Sequence, residues 1–166
     1  MILLALDRSG ELLVPDAIAA STEAAIAAAG NAGEQVKRLD WTGPSDEFVE
    51  AVRTSRMVIA CTSHLDQKAM RSGAMGKLAA LCRKCYRRLY AVCVQSAITH
   101  HCDICDIALE HGDLRFRVAS WCSSAWRSSY LSLDMGLFGG STTDILPYRV
   151  IAGCDEAGRG PLAGPV

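Results

Sequence analysis

Aromatic residues are scarce in this 166-residue chain, at 6%, so any core must rest on Ala, Leu, Ile and Val. Charge of one sign is also missing: 17 Lys and Arg stand against 18 Asp and Glu, a formal net charge of −1. Such a balance gives no overall basic footprint, and nucleic-acid binding has to be argued locally. No apolar run approaches the length of a membrane span. The start lacks a basic segment followed by an apolar stretch and a small-residue cleavage site. Together these predict a cytoplasmic protein with no membrane association. No Gly-x-Gly-x-x-Gly follows the first apolar run, and no Gly-x-x-x-x-Gly-Lys-Ser/Thr occurs anywhere, so a phosphate-cradling loop is unsupported.

What is present falls into three unequal parts: 1–81, 82–134 and 135–166. The first reads as alternating strand and helix. Met1–Leu6 is an apolar run of strand length closed by the turn-like Asp7-Arg8-Ser9-Gly10. Ala17–Ala29 is Ala-rich and stopped by Gly30, the pattern of a helix with its C-terminal glycine. Glu34–Trp41 and Arg56–Cys61 are the next expected strands, with a short helix over Ser45–Thr54 between them. Asp66–Leu81 is expected as one helix, although it carries Gly73 and Gly76. Alternation of this kind predicts an α/β fold with a parallel sheet, its N-terminal segment βαβαβ-like. This opening resembles the α/β domains of nucleotide-binding flavoproteins, and it names no function by itself.

Cysteine is plentiful: positions 61, 82, 85, 93, 102, 105, 122 and 154. In a chain with no secretory signal, metal binding is a better first reading than a disulfide framework. Cys82-Arg-Lys-Cys85 and Cys102-Asp-Ile-Cys105 form two C-x-x-C pairs at a spacing that suits a tetrahedral Zn²⁺ site, a zinc-ribbon-like middle. Arg83, Lys84, Arg87 and Arg88 would favour the thiolates and also form a local basic patch. Against zinc, Tyr86 and Asp106 follow the pairs where a turn former is usual, and the composition of 82–134 is irregular. The bland alternative is a stretch read from a non-native frame. His100, His101 and His111 are left unassigned. A Cys61/His64 nucleophilic pair has no orienting acid at a recognisable spacing.

From Met135 the sequence is orderly again. A Gly/Ser/Thr linker and Pro147 precede the β-branched run Tyr148-Arg-Val-Ile-Ala152, and then comes Gly153-Cys-Asp-Glu-Ala-Gly-Arg-Gly-Pro-Leu-Ala-Gly-Pro-Val166. Adjacent Asp155 and Glu156 offer hard oxygen ligands for Mg²⁺ or Mn²⁺. Gly153 and Gly158 make the bend cheap that both carboxylates need to serve one metal. Gly158-Arg159-Gly160 exposes backbone that can approach a sugar-phosphate chain, and Arg159 supplies forked donors. An isolated Asp-Glu pair is more often a solvated turn.

The full stretch resembles the opening active-site motif of ribonuclease HII at every position except Cys154, and Tyr148–Ala152 resembles that family's first strand. The resemblance covers about residues 147–166 and implies the first strand and turn of a ribonuclease H-like fold. It implies that Asp155 and Glu156 are catalytic metal ligands for Mn²⁺ or Mg²⁺. It also implies that Gly158, Arg159 and Gly160 sense the ribonucleotide 2′-hydroxyl in an RNA–DNA hybrid. The family hydrolyses the RNA strand to 3′-hydroxyl and 5′-phosphate products by metal-activated water. Its further acidic ligands and substrate-sensing tyrosine lie downstream of this motif, so the expectation is a ribonuclease HII fragment, inactive alone. The alternative is a small α/β plus zinc-ribbon module with a binding or regulatory role and no catalysis.

Overall fold

In the computed structural model the residues described are 1–9, 13–31, 33–71, 73–98 and 105–123. The chain divides into Met1–Ala125 and Trp126–Val166, and only the first of these contains described residues. Asp155, Glu156, Gly158, Arg159 and Gly160, the linker before them and Cys102 lie outside the described residues.

Five strands form one parallel sheet in the order β2-β1-β3-β4-β5. They are β1 (Ile2–Asp7), β2 (Val36–Trp41), β3 (Met57–Leu65), β4 (Arg88–Ser96) and β5 (Asp106–Leu109). The helices are α1 (Val14–Ile26), α2 (Asp46–Thr54), α3 (Gln67–Arg71) and α4 (Ala74–Lys84). A further helical run covers residues 114–123. The α/β class and the parallel sheet agree with the sequence. The boundary drawn after residue 81 falls inside α4, and β4 and β5 beyond it extend the sheet begun by β1–β3.

Side-chain alternation along the strands builds two cores, one on each face. Ile2, Leu4 and Leu6 of β1 and Met57, Ile59 and Cys61 of β3 meet Ile18 and Ile26 of α1 and Val118 and Trp121 of the helical run. Leu3, Ala5, Val58 and Ala60 point the other way, against Phe48 and Val52 of α2 and Met75 and Leu78 of α4. Every residue of β1 is buried, as expected for a central strand covered on both faces. Tyr90 stacks on Trp121 at a centroid separation of 4.6 Å, and Trp41 packs on Phe48 at the same distance. Few aromatics suffice because these two pairs sit one on each face.

Local chemistry sets the element ends. Ser45 caps α2, its Oγ accepting from Phe48 N–H at 3.2 Å, while Asp46 and Glu47 face the positive end of the helix and Arg53 the negative end. Gly30 takes φ 81° beyond α1, the left-handed conformation expected of a stop glycine.

The single helix expected over Asp66–Leu81 is two. The reason is close backbone approach: a Cβ on Gly73 would lie 2.8 Å from Ala69 Cα, and one on Gly76 would lie 2.6 Å from Met70 carbonyl oxygen. The glycines therefore let the chain fold tightly from α3 into α4. The carboxyl end of α4 is closed by Arg87 N–H donating to Cys82 O at 2.9 Å and Tyr86 N–H donating to Arg83 O at 3.1 Å. This closure needs a left-handed residue, and Tyr86 supplies it at φ 54°.

Candidate ligand site at the carboxyl edge of the sheet

The strand order reverses at β1. From β1 the chain enters α1 on one face, and from the adjacent β3 it enters α3 and α4 on the other. Adjacent connections that leave in opposite directions open a crevice beyond the carboxyl ends of the two strands, the usual ligand position in open α/β sheets.

Two polar side chains meet there. Asp7 ends β1 and is 8% exposed, and Thr62 in β3 is 3% exposed. Thr62 Oγ1 donates to Asp7 Oδ2 at 3.0 Å, and Ser9 N–H donates to Asp7 Oδ1 at 3.0 Å. The second bond is an Asx turn, in which an Asp side chain captures the amide two residues on. Asp7 thus ties the start of the β1 loop to β3 from within the crevice. Beyond it, Ser9 and His64 are exposed and Ser63 is half-buried.

A charged flank lies alongside. Arg8 pairs with Asp16 in the first turn of α1, and its Nε donates to Asp40 Oδ1 at 2.9 Å. These two carboxylates raise the Arg8 pKa, and the Arg8 guanidinium lowers that of Asp16. Arg38 makes a forked contact with Glu23 at 2.6 and 2.7 Å. Both pairings join β1 or β2 to α1, so the cations are committed to holding that helix.

Of the sequence-predicted site residues, Cys82, Cys85 and Cys105 are among those described. Cys82 is buried in α4, Cys85 follows that helix half-buried, and Cys105 is buried just before β5. All three lie in or against the same apolar cluster. Burial pushes the Cys82 thiol up to about 12, with Cys85 a second contributor. Among the described residues no three His, Cys, Asp or Glu side chains are placed to hold one metal ion. The Cys61/His64 pairing does not form: Cys61 is fully buried in the α1 core, while His64 is exposed. Burial also pushes the Cys61 thiol up to about 12, the reverse of nucleophile activation. His111 is exposed and lies 3.7 Å from Glu110.

Sequence reading identified the Asp7–Gly10 turn but not the Asp7–Thr62 contact. The available signal was an Asp closing an apolar run two residues before a free amide donor; the partner on β3 is 55 residues away.

No protein-family model, no curated protein and no solved structure matches the chain. Among the described residues no helix is long and apolar enough to cross a membrane.

Proposed function

We propose that Met1–Ala125 is a binding or regulatory module that takes a small polar ligand in the crevice between the carboxyl ends of β1 and β3. The observation that carries this reading is the reversal of strand order at β1, with the Asp7–Thr62 contact at its base. Strand order alone does not name a ligand, because one fold hosts many functions. The polar residues Ser9, Ser63 and His64 near the strand ends favour a hydrogen-bonding ligand over an apolar one. A thermal-shift panel of mononucleotides, flavin mononucleotide, sugar phosphates and dicarboxylates tests it. At least one class is expected to raise the melting temperature, and the rise should be lost in Ser63→Trp/His64→Trp, which blocks the opening. A rise that survives the blocking variant places the ligand elsewhere and contradicts the proposal.

A second reading is favoured by a separate observation, the motif Gly153–Val166. Here residues 147–166 supply the first strand and metal-binding turn of a ribonuclease HII, with Asp155 and Glu156 as ligands for Mn²⁺ or Mg²⁺. Gly158, Arg159 and Gly160 then contact the RNA–DNA hybrid. This reading does not compete with the first, since the two concern different residues. Its test is joining the chain to downstream sequence that carries further acidic residues: metal-dependent cleavage of a hybrid that disappears in Asp155→Asn supports it, and cleavage that persists refutes it.

A further inference from the structure

At the amino edge of the sheet, opposite the crevice, two helix carboxyl ends meet. α2 ends at Thr54 just before β3, α4 ends at Lys84 just before β4, and both pack on the same face. Arg87 bridges them: its Nη2 donates to Arg53 O at 2.6 Å and its Nη1 to Tyr86 O at 3.2 Å. The contact brings Arg53 and the turn after α4 together, so that Arg53, Arg83, Lys84 and Arg87 share one edge.

Arg53, Arg83 and Lys84 are exposed, and Arg87 is half-buried. Glu34 pairs with Arg56 at 3.0 Å, and Glu50, one turn before Arg53, makes no ion pair with it. No described carboxylate lies within ion-pair distance of Arg53, Arg83, Lys84 or Arg87, although Arg8, Arg38, Arg56 and Arg117 are all paired. The negative ends of the α2 and α4 dipoles explain why cations are tolerated there, but each is equivalent to only about half a charge. Three exposed cations against the single exposed carboxylate of Glu50 leave a positive excess in a chain whose net charge is −1.

We infer that this edge binds the phosphate backbone of a nucleic acid. The Arg87 guanidinium is spent on Arg53 O and Tyr86 O, and two of the three exposed cations, Arg53 and Arg83, carry the planar fork that matches two phosphate oxygens. Protein interfaces need an apolar anchor at their centre. Among the described residues the exposed large apolar side chains, Leu13 before α1 and Phe116 in the 114–123 run, lie towards the carboxyl edge instead. A predominantly cationic surface has the composition of a backbone contact, which is polar, positively charged and indifferent to sequence. The inference uses different residues from the crevice and stands or falls separately.

The test is fluorescence anisotropy of the full chain with a labelled DNA duplex and an RNA–DNA hybrid of equal length, in EDTA to silence metal chemistry. Both are expected to bind at low salt with similar affinity. Three phosphate contacts, from Arg53, Arg83 and Lys84, predict that affinity falls about 40-fold from about 50 to 200 mM salt. Arg83→Gln/Lys84→Gln should weaken binding and reduce that salt dependence by about two contacts, and Arg83→Glu/Lys84→Glu should abolish it. Circular dichroism checks that each variant folds. Arg117→Gln, at an arginine of the 114–123 run paired with Asp113, should leave binding unchanged. No binding at low salt overturns the inference, as does binding that survives Arg83→Glu/Lys84→Glu. Preferential binding of poly-glutamate overturns it in favour of an acidic protein partner.

Discussion

Thr62 and Asp7, 55 residues apart in sequence, share a buried 3.0 Å hydrogen bond that fastens β3 to the end of β1. A buried carboxylate that loses a donor bears a desolvation cost that a methyl group cannot offset. Thr62→Val, which keeps the shape, is therefore expected to destabilise the fold by about 2 kcal/mol. Urea unfolding followed by circular dichroism measures it. Thr62→Ser, which retains the hydroxyl, should recover most of the loss.

The break between α3 and α4 depends on Gly76. A methyl group there would stand 2.6 Å from a backbone carbonyl, which has no flexible side chain to give way. Gly76→Ala is expected to cost about 1–3 kcal/mol, against the usual gain from replacing glycine by alanine inside a helix. Thermal unfolding of the variant reports the sign directly: a rise in melting temperature would contradict the packing described.

Tyr86 occupies a left-handed conformation that costs a non-glycine residue about 1 kcal/mol. Tyr86→Gly is expected to be more stable than Tyr86→Ala by about that amount, since both lose the ring and only glycine relieves the backbone. Denaturant midpoints of the two proteins compare them.

Cys61 and Cys82 define an alkaline limit. Burial raises both thiols from an ordinary value near 9.0 to about 12. Between those values the unfolded chain loses a proton that the folded chain keeps, so the unfolded state binds fewer protons and stability falls as pH rises. Their contribution is fully present below pH 9.0 and declines above it, by about 1.4 kcal/mol per pH unit for each thiol. Unfolding curves across this range should show the decline, and Cys61→Ala/Cys82→Ala should flatten it. In the same window a thiol reagent should modify half-buried Cys85 before either buried thiol.

Much of the fold was legible because its determinants are local. Ser45 announced α2, Gly30 announced the end of α1, and the stretches Met1–Leu6, Glu34–Trp41 and Arg56–Cys61 announced β1, β2 and β3. The split at Gly73 was hidden because a helix interior and a close backbone crossing both accept glycine, and only tertiary distance separates them. β4 and β5 were hidden because the stretch from residue 82 was read by its C-x-x-C spacing, whereas the strands lie after the first pair and just after the second, with Cys93 and Ala108 as small core residues. The crevice was less legible than the fold. Strand order follows from pairing between distant segments, and Thr62 gives no sign of its partner in the residues beside it.

The central claim is that ligand enters between β1 and β3, and amide chemical-shift mapping of the ¹⁵N-labelled chain against the stabilising compound tests it most directly. The account predicts shifts concentrated at Asp7–Ser9 and Thr62–Asp66, with the amino edge at Arg53 and Arg83–Arg87 unmoved. Shifts centred on that amino edge, or confined to residues remote from both strand ends, would contradict it.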